Sequence, residues 1–173
     1  MITRFIKTFA LALSLAASAS ASGAANQPTA AEFNAEIDRI GPTAVLAKMF
    51  ETEKLESWVS KQIASGSAAW LNIATRLRPH SDASLTTLLN SAVAEALVRA
   101  PYRVLPLLEA GVFTPSHSCL PFLSVDEPPE KNLLAITQLE RTLAPIRSQR
   151  FASIKAACLV QAKQTREQIA GSR

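Results

Sequence analysis

The sequence predicts an all-α fold, a compact bundle of about six to eight short helices, on three observations. Apolar residues recur at i, i+3 and i+4 through most of the chain after residue 25, the period of a helix that buries one face. Glycine and proline fall mostly at the ends of those runs, where helices stop and start. No segment alternates apolar and polar residues in the manner of a half-buried strand.

The elements follow in order. A first helix is expected from about Thr29 to Ile40, with Ala30, Phe33, Ile37 and Ile40 on its apolar face. Gly41-Pro42 supplies a stop and a new start. The second helix then buries Val45, Leu46, Met49 and Phe50, and a third, from Glu53 to Ser65, presents Leu55, Trp58, Val59 and Ile63. No breaker separates these two, so one bent helix is equally compatible with the pattern. Ser67 is placed as the N-cap of a helix reaching Leu77, which turns Trp70, Ile73, Ala74 and Leu77 inward and is closed by Pro79. The clearest periodicity runs from Asp82, an N-cap, to Arg99. Pro101 opens a shorter helix ending at Gly111, which Pro106 should kink or split. Residues 112–131 lose the pattern, apart from one turn beginning at Thr114-Pro115, and a connection this long in a small domain is normally pinned or functional. Helices from Asn132 to Ala144 and from Ser148 to about Ala170 complete the chain, and the second turns Cys158 inward. Gly41, Gly66, Gly111 and Gly171 all sit where a left-handed helix end is wanted. Pro42-x-x-Val45-Leu46 echoes Pro101-x-x-Val104-Leu105, which admits stacked helical hairpins, although a bundle is favoured over a repeat array.

A chain of 173 residues suits one domain. Residues 1–25 read as a signal peptide. Arg4 and Lys7 precede an apolar run from Phe9 to Ala17 that is shorter than the roughly 20 residues of a membrane span. Small residues with A-x-A spacing follow at Ala17-Ser18-Ala19 and Ala19-Ser20-Ala21. An uncleaved anchor is the alternative, and no cysteine is present there to carry a lipid. Residues 26–173 are then a single helical domain, expected to be soluble, with no stable membrane insertion and a periplasmic or secreted location. Cleavage would remove two cations and no acid, so the precursor's net charge of +4 falls toward neutrality. No basic cluster suggests nucleic acid.

Cys119 and Cys158 are the two cysteines. An exported chain meets an oxidising compartment, and their separation is unlike that of a C-x-x-C redox motif, so a structural disulfide is expected. The competing use of Cys119 is as a nucleophile beside His117. His80 and His117 lack metal-ligand spacing. Glu51, Glu53 and Glu56 read as a solvated face, and Trp58 and Trp70 as core residues. No G-x-S-x-G elbow, S-x-x-K site or glycine-rich phosphate loop occurs. No catalytic, metal or cofactor residues are therefore assigned.

Gly41-Pro42-x-Ala44-Val45-Leu46, Ile63-Ala64-Ser65-Gly66-x-x-x-Trp70-Leu71 and Leu77-Arg78-Pro79-x-x-Asp82-Ala83 together resemble a group of small exported helical proteins of Gram-negative bacteria with no known activity. The resemblance covers about Gly41 to Cys119. It implies a periplasmic setting and carries over no activity or functional residue.

These features favour a periplasmic or secreted module that binds another exported protein, a class within which an inhibitor or immunity-type protein fits. The alternatives are a small hydrolase-like enzyme whose residues converge without a motif, and a carrier of a hydrophobic ligand. Within the irregular segment, Phe113, Leu120, Phe122, Leu123 and Val125 are more apolar than a loop requires. Leu120 is expected to dock on the bundle, and Phe122 with Leu123, ahead of Asp126-Glu127, is the expected partner-binding anchor.

Overall fold

The computed structural model describes residues 27–120 and 128–171. The leader expected over residues 1–25 and the Phe122–Leu123 pair lie outside them. Among the described residues there is no strand, and the helices are α1 (Ala30–Ile40), α2 (Pro42–Glu51), α3 (Glu53–Ala64), α4 (Ala68–Leu77), α5 (Ala83–Arg99), α6 (Pro101–Glu109), the one-turn α7 (Pro115–Ser118), α8 (Pro129–Leu143) and α9 (Ala152–Gly171). Short 3-10 turns occupy Arg78–His80 and Gln149–Phe151. The all-α bundle expected from periodicity is the fold.

Local chemistry sets the helix ends. Thr29 and Glu32 form a capping box: the Glu32 amide donates to Thr29 Oγ1 at 3.3 Å and the Thr29 amide to Glu32 Oε2 at 2.7 Å. The backbone donor first, and the Thr29 hydroxyl second, hold the Glu32 carboxyl below its ordinary value. Asp82 caps α5 by accepting from the Leu85 amide at 2.9 Å. Ser67 holds the N-cap position of α4 without a side-chain cap bond; its own amide donates to Ser65 Oγ at 3.2 Å. Proline opens α2, α6, α7 and α8, where a missing N–H costs nothing.

Packing is organised around α5, which touches α3, α4, α6, α7 and α8. Leu89, Val93 and Leu97 are fully enclosed, and Ala92, Val93 and Ala94, three successive positions, are all buried. Successive helical residues point about 100° apart, so α5 is covered on several sides. A second cluster joins α1, α2 and α4: Phe33 lies 5.6 Å from Trp70, and Arg76 of α4 reaches Asn34 Oδ1 at 2.7 Å and pairs with Asp38. Helix α9 lies against α7, α8 and α6.

The turn between α3 and α4 makes the tightest approach. Gly66 has φ +76, and a Cβ built there would come within 2.6 Å of the Ala100 Cβ, at the corner between α5 and α6. Arg99 Nη1 donates to the Ala64 carbonyl at 2.6 Å, and Arg103 Nη1 to the Gly66 carbonyl at 2.9 Å. Two guanidinium groups thus satisfy carbonyls freed at the end of α3, where a cation is electrostatically favoured.

Several expectations are corrected. Phe50 is 62% exposed rather than buried. Chain direction changes at Thr52, the single residue between α2 and α3, and nothing among the described residues covers the last turn of α2 beyond Met49. That break also makes α2 and α3 two helices. Pro106 lies inside a continuous α6 and does not split it; the carbonyl that loses its helical donor belongs to Tyr102, a residue 64% exposed. Gly41, Gly66 and Gly111 adopt positive φ as expected, whereas Gly171 lies within α9. Helix α8 begins at Pro129, three residues before the predicted start.

Gly66→Ala must both hold a left-handed conformation and push Ala100 aside. The expected loss is about 2–4 kcal/mol, read as a lower midpoint in chemical denaturation with an unchanged denaturant slope. A variant as stable as the parent would show that the turn does not need its close seat on α5.

Candidate functional site

The one-turn helix α7 anchors the start of the irregular segment. Phe113 is fully buried and fixes the approach to the turn. Thr114 occupies the N-cap, Pro115 the first helical position, and Cys119 the C-cap. This single turn points Ser118, Cys119 and Leu120 into the bundle, at 0%, 0% and 9% exposure. Docking of Leu120 follows the expectation.

Cys119 is bonded to Cys158 of α9, 39 positions later, with the Cα atoms 5.2 Å apart. Both residues are fully enclosed. On chain-entropy accounting a bridge closing a loop of this size contributes about 4 kcal/mol. Because the sulfur is committed to the bridge, Cys119 is not a thiol nucleophile for His117. Next to it, Ser118 Oγ donates to Asn90 Oδ1 of α5 at 3.2 Å, a buried contact between side chains 28 positions apart. Low surrounding polarity strengthens such a bond and raises the cost of losing it.

A cleft of about 240 Å3 adjoins the bridge, lined by Glu95, Val98 and Arg99 from α5, by Cys119, and by Ala135, Gln138 and Leu139 from α8. Glu95 and Arg99 lie 3.7 Å apart at its mouth, both about half exposed. The cleft therefore presents a carboxylate, a guanidinium already engaged with Glu95 and the Ala64 carbonyl, and an amide beside Val98, Ala135 and Leu139. It is below the roughly 300–1,000 Å3 of sites that enclose small-molecule ligands. Two larger openings, about 430 Å3 beside Glu56, Ser84 and Leu88 and about 290 Å3 beside Arg147, Lys155 and Leu159, are open surface grooves.

The other sequence candidates remain apart. His80 and His117 are both exposed. His117 Nδ1 lies 3.0 Å from Thr114 Oγ1 and 2.9 Å from Ser116 Oγ, within its own turn. Trp70 is core, while Trp58 is half-buried and its Nε1 donates to the Pro28 carbonyl at 3.4 Å. Among the described residues, no three His, Cys, Asp or Glu side chains gather where they could share a metal ion. None of the described helices is long and apolar enough to cross a membrane. Asn90, Glu95, Arg99 and Gln138 were missed by the sequence reading. Asn90 carried no usable signal: at about 100° per residue it falls outside the Leu85–Leu97 stripe, next to Thr86 on the helix surface.

Ser118→Ala leaves the buried Asn90 oxygen without this donor. The expected cost is about 1–3 kcal/mol, seen as a melting midpoint lower by several degrees with the disulfide intact by mass. An unchanged midpoint would mean that Asn90 finds another partner at no cost.

Three comparisons bear on identity. No protein-family model matches the chain, and neither a curated protein nor a solved structure matches it.

Proposed function

We propose that the chain is an exported protein-binding module, periplasmic or secreted, of the inhibitor or immunity type. The observation that carries this reading is how the scaffold holds the two ends of residues 121–127. On one side stand the buried Cys119 and Leu120, covalently fixed to α9. On the other, Pro128 and Pro129 lead directly into α8. Between them the sequence carries Phe122, Leu123 and Val125, followed by Asp126 and Glu127. Fixed positions on both sides of a short apolar stretch favour binding, because less freedom is lost on association. A few apolar anchors with a charged border are the usual source of interface energy. The leader-like residues 1–25 and the disulfide support the exported setting, as does the resemblance to small exported proteins of Gram-negative bacteria.

Two experiments test the reading. The protein recovered from the periplasm or medium should have the intact mass of a chain beginning after Ala19, Ala21 or Ala25, and a species retaining Met1 through Gly23 contradicts export with cleavage. For binding, Phe122→Ser combined with Leu123→Ser should weaken capture of a partner from the exported fraction by about thirtyfold, the scale of a hot-spot loss, at an unchanged melting midpoint. Undiminished capture removes this segment as the anchor, and a large fall in melting places both side chains in the core.

A further inference from the structure

Helix α9 is the longest of the described helices and among the least enclosed. Of its 20 residues only Cys158 and Ala162 are buried, whereas α5 buries eight of 17. Ile154, Leu159 and Ile169 pack partly against the core. Lys155 Nζ donates to the carbonyls of Ala144 and Ile146 at 3.2 and 3.0 Å. Arg166 pairs with Glu140 of α8 at 2.6 Å, with both side chains more than a third exposed, where such pairs contribute little. Helical stability in proteins comes mainly from packing an apolar face, and that of α9 is narrow, with two buried residues flanked by partly buried ones. The covalent bond to Cys119 is its firmest tether.

We propose that the Cys119–Cys158 bridge is a redox catch for α9. Closed, it holds the helix on α7 and α8; opened by reduction, it releases α9 while α1 to α6 stay folded. The chemistry is thiol–disulfide exchange with a dithiol. One reductant thiolate attacks a sulfur of the bridge and the other sulfur leaves as thiolate. The second reductant thiol then resolves the mixed disulfide. Two electrons pass to the protein, Cys119 and Cys158 end as thiols with one proton each, and the reductant ends as a disulfide. The cleft between α5 and α8 runs up to Cys119, which puts the approach on that side of the bundle. Both cysteines are enclosed, so exchange proceeds through local opening. In a reducing compartment the chain has a free C-terminal arm, and oxidation docks it. This inference goes beyond the binding reading and does not depend on it.

Hydrogen exchange followed by mass spectrometry on the full exported chain tests the catch. Oxidised protein is compared with dithiothreitol-treated protein in which alkylation counts two free thiols. Peptides within residues 152–171 should exchange at least roughly tenfold faster after reduction, while those of α3 and α5 change by less than about twofold. Cys119→Ala with Cys158→Ala should reproduce that pattern without reductant. Unchanged exchange in α9 with both thiols free overturns the proposal. Loss of protection in α3 and α5 together with α9, or a double variant that does not fold, overturns it as well, because the bridge would then hold the whole domain.

Discussion

The structure depends on the need to cover α5 on more than one side. A helix with Ala92, Val93 and Ala94 all buried cannot lie on the surface of a two-layer packing. It draws α3, α4, α6, α7 and α8 around itself. Its small residues let those neighbours approach closely, and its polar groups sit where they can be answered: Asn90 against Ser118, and Arg99 at the carbonyl end of α3. The short proline-started helices before and after it are the means by which a chain of this length surrounds one rod.

Most of the fold was legible because helix period and helix ends are local properties. The alternation of Phe33, Ile37, Val45, Leu46 and Met49 along the first two helices depends only on spacing, and all five are buried. Asp82 caps α5 because its side chain needs to reach only three residues onward. Where neighbours decide the outcome, the pattern misled. Phe50 has the spacing of a core residue, yet it lies on the last turn before the chain turns away at Thr52. The candidate site was legible in part. The cysteine pair followed from compartment and count, but the cleft draws on residues 95–99, 119 and 135–139, and no local rule joins those.

The C-terminal part is built on a different balance from the rest. Around α5, stability comes from enclosed apolar side chains. Around α9, a narrow apolar stripe of Ile154, Cys158 and Ala162 is joined by one covalent bond, a lysine at the carbonyl end of α8 and an exposed ion pair. The bridge thus sets the position of two elements at once, the turn that leads into residues 121–127 and the final helix. Whatever meets this protein on that side meets two elements joined by a single covalent bond.

The seat of Gly66 on Ala100 also limits how this sequence can drift over generations. The distance that excludes a Cβ at position 66 is set by the methyl group at position 100, so the two sites constrain each other. A larger side chain at position 100 would have to be seated at the same close approach, beside carbonyls that Arg99 and Arg103 hold. Descendant sequences should therefore keep positions 66 and 100 both small for as long as the α3–α4 turn keeps its present length, and position 66 carries the further demand of its positive φ.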